Sequence, residues 1–201
     1  LNSVIKAPYR YCTCMVLLNF FKKYENKDGL LEKLEAWVFL EWSKANELTQ
    51  DINFPSNMLY AKTLFAAARM FDDAALEAKA NALFDVIRAR SFDGTFFRDN
   101  EVYNGDGEPV SPGERTETCQ YYAFFTGTAT PETYPELWHT LMTDFGPKRA
   151  EKGLYPEIYP ANAFIGNYLR LMLLDENGLY EKLIEESKDY FLYMAERTGT
   201  L

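Results

Sequence analysis

Histidine is nearly absent from this chain of 201 residues, His139 being the only one. A metal site built from several imidazoles is therefore excluded, and a Ser-His-Asp triad would need that one ring in a cleft. Its place beside Trp138 on an amphipathic stretch reads instead as surface or packing. Cysteine is scarce as well. Cys12, Cys14 and Cys119 form neither a disulfide scaffold nor a CxxC pair, and buried thiols are the simpler reading. Basic charge is short, with 21 Lys and Arg against 30 Asp and Glu, a net charge of -9. Such a surface repels phosphate backbones and anionic lipid, so neither nucleic acid nor a membrane is expected as a partner. No apolar run reaches the roughly 18 residues of a membrane span, and Leu1–Arg10 lack the layout of a signal peptide.

What the chain has in quantity is apolar and aromatic side chains, 47% and 16% of residues, enough for a single domain over 1–201 with a substantial core. Their spacing is helical. Tyr134, Leu137, Trp138, Leu141, Met142 and Phe145 line one face of a helix, and 74–90 and 179–196 repeat that one-faced pattern. Between them, 57–71, 117–126 and 162–174 are apolar nearly all round, as helices buried on every side are. An apolar helix over Met15–Tyr24 and an amphipathic one over Leu31–Leu48 are expected to precede these. Buried and amphipathic helices in alternation predict two concentric layers, an all-α fold of the α/α toroid type with three to four helical hairpins.

A weak internal repeat fits that reading. Phe54-Pro55-Ser56-Asn57 with Ala61 recurs as Tyr159-Pro160-Ala161-Asn162 with Gly166, and each copy is expected to open a buried helix, proline suiting the first turn. The small residue four places after each asparagine would allow close helix approach. Connections into the buried helices, Ser91–Arg115 and Gly146–Tyr159, are longer than most loops and place the working face at one end.

That end is rich in carboxylates and rings, the combination that sugar binding and hydrolysis use. Glu117, Glu114 and Glu157 are the catalytic candidates, Glu117 foremost because it opens a buried helix beside Gln120. As a helix-terminal carboxylate Glu117 would serve equally well. Trp42 can stack on a sugar face or pack in the core, and Asn57 and Asn162 can bind a hydroxyl or cap a helix.

Glu41-Trp42-Ser43, Asp106-Gly107, Thr118-Cys119-Gln120-Tyr121, Asn162-Ala163-Phe164-Ile165-Gly166-Asn167-Tyr168-Leu169 and Thr198-Gly199-Thr200-Leu201 resemble, in order, blocks of the six-hairpin glycosidases, most of all the α-L-rhamnosidases. The resemblance implies part of an (α/α)6 barrel catalytic domain that hydrolyses terminal α-L-rhamnosides with inversion and without a cofactor or metal. It also implies a carbohydrate-binding wall of Trp42, Glu41, Gln120, Asn162 and Phe164. The family's acidic, arginine-containing motif for the general acid has no copy in Leu1–Lys33, and its Trp-Glu pair for the general base falls after the block matched by Thr198–Leu201. Both catalytic groups are thus expected outside the chain. Three to four hairpins do not close a six-hairpin ring, so the chain by itself is expected to be inactive and to self-associate through uncovered apolar surface. The competing readings are a carbohydrate-active toroid of other specificity and a non-catalytic helical-repeat module. Steps of 62 and 43 residues between Ala61, Ala123 and Gly166 are too irregular for the module. A toroid acting on isoprenoid diphosphates would need a DDxxD motif, which Phe71-Asp72-Asp73-Ala74 does not make.

Overall fold

The computed structural model describes residues 8–199, without the side chains of residues 8–12, Cys12 among them, and of Tyr193; Thr200 and Leu201 lie outside that description. Among the described residues there are seven α-helices: α1 (Pro8–Phe21), α2 (Phe54–Phe71), α3 (Ala74–Ser91), α4 (Glu117–Thr126), α5 (Pro135–Asp144), α6 (Ile165–Glu176) and α7 (Tyr180–Thr198). Side-chain caps and left-handed residues set their ends. Asn53 accepts the Ser56 N–H at the start of α2 with Pro55 in the first turn, and α2 stops at Asp72, whose φ is 56°. The next residue, Asp73, accepts from Ala75 and Leu76 and starts α3, so two residues reverse the chain. Thr116 caps α4 in the same way, and Gly127 ends it at φ 82°.

Helices α2, α4 and α6 pack side by side as a central row, α3 backs α2, and α7 backs α6. The Trp138 ring of α5 lies 5.1 Å from Phe124 of α4, and Leu137, Leu141 and Met142 bury the face of α5 that looks inward. This is the expected two-layer all-α arrangement of an α/α toroid. Leu64 and Phe124 are buried and Leu171 is half-buried, as an inner layer requires. The two ends of the row are bare. Val16, Leu17 and Phe20 of α1 are exposed at one end, and Ile184, Phe191 and Leu192 of α7 at the other.

Three expectations need correction. Leu31–Leu48 is not an amphipathic helix: it runs as irregular chain into a short 3-10 turn at Lys44–Leu48. Lys33 and Ala36 adopt left-handed φ values of 49° and 67°, and the buried Asn57 amide ties Leu31 through both its N–H (2.6 Å) and its carbonyl (3.0 Å). Apolar spacing alone suggested the helix; the tertiary hold of Asn57 overrides it. Second, the Tyr159–Asn162 copy of the repeat opens no helix. Tyr159 bridges Thr116, Pro160–Asn162 are irregular chain, and α6 begins at Ile165. Third, the long 92–116 connection is folded. It carries β2 (Asn100–Tyr103) and β3 (Pro109–Val110), which with β1 (Ile52–Asn53) make an antiparallel sheet in the order β1-β2-β3.

Candidate functional site

The central helices begin at the end of the molecule that carries the 92–116 and 145–164 connections, and the candidate residues gather there. Glu41 is fully buried. Its carboxylate accepts from Ser43 Oγ (2.9 Å), from Thr118 Oγ1 of α4 (2.5 Å) and from the Gly166 N–H in the first turn of α6. Helix α6 has no cap of its own, so Glu41 supplies from 125 residues away the negative charge that a helix start favours. Gly166 explains the fit. A Cβ there would lie 2.7 Å from Glu41 Oε1 and 2.4 Å from Ala161 Cβ, so the small residue makes room for a carboxylate and not, as its spacing suggested, for a neighbouring helix.

Glu117 is buried too. It accepts from Tyr121 Oη, from Arg149 Nε (3.1 Å), and from the N–H groups of Gly146 (3.3 Å) and Ala161 (3.4 Å). Arg149 in turn donates to the carbonyls of Leu154, Tyr155 and Ile158, which shapes the whole 146–161 loop around one buried ion pair. A second pair lies behind it. Arg170, with no exposed surface, donates to both oxygens of Glu186, to Tyr121 Oη and to the carbonyls of Leu141 and Phe145. Burial pushes the Tyr121 hydroxyl well above its ordinary value. Glu117, Tyr121, Arg170 and Glu186 therefore form one continuous polar network from the loops to α7. Gln120 is likewise engaged at every position: its oxygen accepts from Phe97 N–H and its amide nitrogen donates to the carbonyls of Phe97 and Thr116. Gln120 expected at the sugar thus holds the 92–99 loop, and Glu117 expected at the chemistry holds the 146–161 loop. Glu114 is half-buried and Glu157 exposed, so the three catalytic candidates occupy three different environments.

The rings behave otherwise. Trp42 is 59% exposed and lies in irregular chain, with Trp37 (69% exposed) at 5.6 Å and Phe39 at 4.9 Å between centroids. Asn162 donates its Nδ2 hydrogen to the Trp42 carbonyl (2.6 Å), which brings Phe164, 60% exposed, to the same end as this aromatic group. Trp37 and Phe39 were not signalled by the spacing of any motif. Their signal is the density of rings in Trp37-x-Phe39-x-x-Trp42.

One acid is strongly perturbed. Asp99 is fully buried, and burial pushes its carboxyl up to about 7 against two opposing hydrogen bonds from the Thr116 side chain (2.8 Å) and N–H (2.6 Å). The same burial raises the adjacent Cys119 thiol. Asp99 sits beneath the start of α4, where it secures the capping residue. Among the described residues no group of three or more His, Cys, Asp or Glu is arranged to hold a metal ion.

A row of inner helices whose starts bear the long connections, backed by outer partners, defines the α/α helical-hairpin class. Within it the structure is similar to the GH78 family rhamnosidase of Bacillus sp. GL1, with a TM-score of 0.73 and 18% identity over 92% of this chain. It is also similar to the rhamnosidase from Klebsiella oxytoca with rhamnose bound, at a TM-score of 0.66 and 14% identity over the same share. The chain spans 19% of the length of the first and 33% of the second. No protein-family model and no curated protein matches it in sequence.

Proposed function

We propose that these residues form one wall of the sugar pocket in a glycoside hydrolase that removes terminal α-L-rhamnose with inversion. The observation that carries the reading is the group of exposed rings at Trp42 and Phe164, joined by Asn162, on a fold shared with two rhamnosidases. An indole face suits the apolar face of a pyranose. The Asn162 amide oxygen accepts a sugar hydroxyl while its nitrogen stays on the Trp42 carbonyl. Glu41 and Gln120 position the wall from behind, through α6 and the 92–99 loop.

Inverting hydrolysis needs an acid and a base roughly 6.5 to 9.5 Å apart across the scissile bond. Glu41 and Glu117 are committed to buried donors, and the blocks that resemble the α-L-rhamnosidases leave that family's acid and base motifs unmatched here, so we assign both catalytic groups to a longer protein of which this is a segment. The exposed apolar ends at α1 and α7 fit the same assignment, and self-association of the isolated chain in light scattering is its corollary. The test is hydrolysis of an aryl α-L-rhamnoside by that longer protein. Trp42→Ala should raise KM more than it lowers kcat if the ring binds ground and transition states alike. An unchanged KM would remove Trp42 from the site.

A further inference from the structure

A second concavity, between the turn after α3, the start of α5 and the 146–161 loop, is built from different residues. Asp93 accepts from the N–H groups of Thr95 and Phe96 and is held by Arg115 (2.6 Å), which closes the turn after α3 and fixes Phe92 and Phe96. Tyr134, at the start of α5, stands edge-on to Phe92 at 4.8 Å. Opposite it, Tyr155 adopts a left-handed φ of 48°, a conformation that costs energy in a residue with a side chain. Arg149 grips its carbonyl (2.8 Å) and its hydroxyl donates to Asp144 (3.2 Å), while its ring leans on Phe96 at 5.6 Å. Between these rings lies a cavity of about 410 Å³, within the range of small-molecule sites.

Its lining defines the ligand chemistry. Besides the rings, the cavity is lined by Thr95, by Thr140 and by Thr133, whose hydroxyl accepts from the Thr130 N–H (2.9 Å), and by the single carboxylate of Glu136, with no lysine or arginine. A phosphorylated or carboxylated ligand would meet no counter-charge and one like charge. A metal ion would find only one carboxylate. Flat apolar rings beside hydroxyls and one strong acceptor suit a neutral ligand with an apolar face and a hydroxylated edge. We propose that this cavity is a second carbohydrate site that takes a neutral pyranose unit. It shares no lining residue with the Trp42 wall and does not depend on the rhamnosidase reading of that wall. The two sites are near neighbours along the chain, since the loop that presents Tyr155 continues to Asn162, and Gln120 grips Phe97 one residue beyond Phe96.

The experiment uses the 201-residue chain with threonine methyl labels, titrated by NMR with methyl α-L-rhamnopyranoside and methyl β-D-glucopyranoside up to about 50 mM, past a millimolar affinity. Saturable shifts of the Thr95, Thr133 and Thr140 methyls with at least one sugar are expected, and they should persist in Trp42→Ala. Thr140→Trp, which fills the cavity, should weaken binding read at Thr95 and Thr133 at least about tenfold. Glu136→Gln, an exposed and conservative change, should weaken it about threefold and keeps the test valid if Thr140→Trp fails to fold. The proposal is overturned if neither sugar moves the threonine methyls, if their shifts vanish in Trp42→Ala, or if 4-nitrophenol moves them as strongly as the sugars. Threonine shifts without a response of the Trp42 indole would overturn the wall reading and leave the second site standing.

Discussion

Glu117 and Trp42 belong to the same end of the molecule, and the structure treats them oppositely. Glu117 is buried against Arg149, Tyr121 and two backbone N–H groups, whereas Trp42 turns most of its indole to solvent beside Trp37 and Phe39. The same contrast separates Glu41 from Phe164 and Gln120 from Asn162. Glu41, Glu117 and Gln120 hold loops and helix starts, and the exposed side chains at that end include the rings of Trp37, Trp42 and Phe164. A carboxylate at a helix start in a loop-rich end is thus no sign of chemistry until its donors are counted. A buried charge that lost its partner would cost several kcal/mol, so the network must be complete to be tolerated.

The contrast breaks most visibly at its deepest member. Arg170→Ala would take from the buried Glu186 its guanidinium partner and from the Tyr121 hydroxyl and two carbonyls a donor, and urea denaturation should show a loss of about 3–5 kcal/mol. A loss below about 1 kcal/mol would mean that the network does not support the loops. Gly166→Ala comes next. Its methyl would collide with Ala161 and Glu41, and a destabilisation of about 1–3 kcal/mol is expected by the same method.

A smaller effect appears in pH dependence. Asp99 has its carboxyl raised by burial to about 7, so between the ordinary aspartate value near 4 and pH 7 the folded chain holds a proton that the unfolded chain has released. Its contribution is complete below about pH 4 and is lost as pH rises through about 7. Stability should therefore fall across that window with a slope of at most about 1.4 kcal/mol per pH unit, and Asp99→Asn should flatten it. A slope of opposite sign in the parent chain that Asp99→Asn abolished would show that the two Thr116 hydrogen bonds outweigh desolvation. The smallest effect sharpens the other side of the contrast: Trp42→Ala should change thermal stability by less than about 0.5 kcal/mol, as an exposed ring does.

How much of this was legible in the sequence follows from range. Helices α2 to α7 are written in 3.6-residue spacing, and α4 begins and ends where its pattern does. Helix α6 starts three residues after its apolar pattern does, because Asn162 is tied to the Trp42 carbonyl, Ala163 and Phe164 form a turn, and the Gly166 N–H goes to Glu41. The irregular 31–43 segment follows a helical period but is held by Asn57, a contact no local pattern encodes. Strands of two to four residues carry too little alternation to be read, although the Asn104-Gly105 pair is a turn signal. At the site, the exposed aromatics were partly legible and the buried ion pairs were not. Arg170 in the run Leu169-Arg170-Leu171-Met172-Leu173 was the one visible clue, an arginine where only apolar residues belonged.

The most direct test of the division between supporting carboxylates and binding rings is made on the isolated chain, assayed with 4-nitrophenyl α-L-rhamnoside while rhamnose binding at the wall is followed by NMR at the Asn162 side-chain amide. No turnover, with weak saturable binding that Trp42→Ala removes and Glu117→Gln leaves in place at the cost of about 2 kcal/mol of stability, is the predicted result. Robust turnover by the isolated chain that Glu117→Gln abolishes without loss of stability would contradict it.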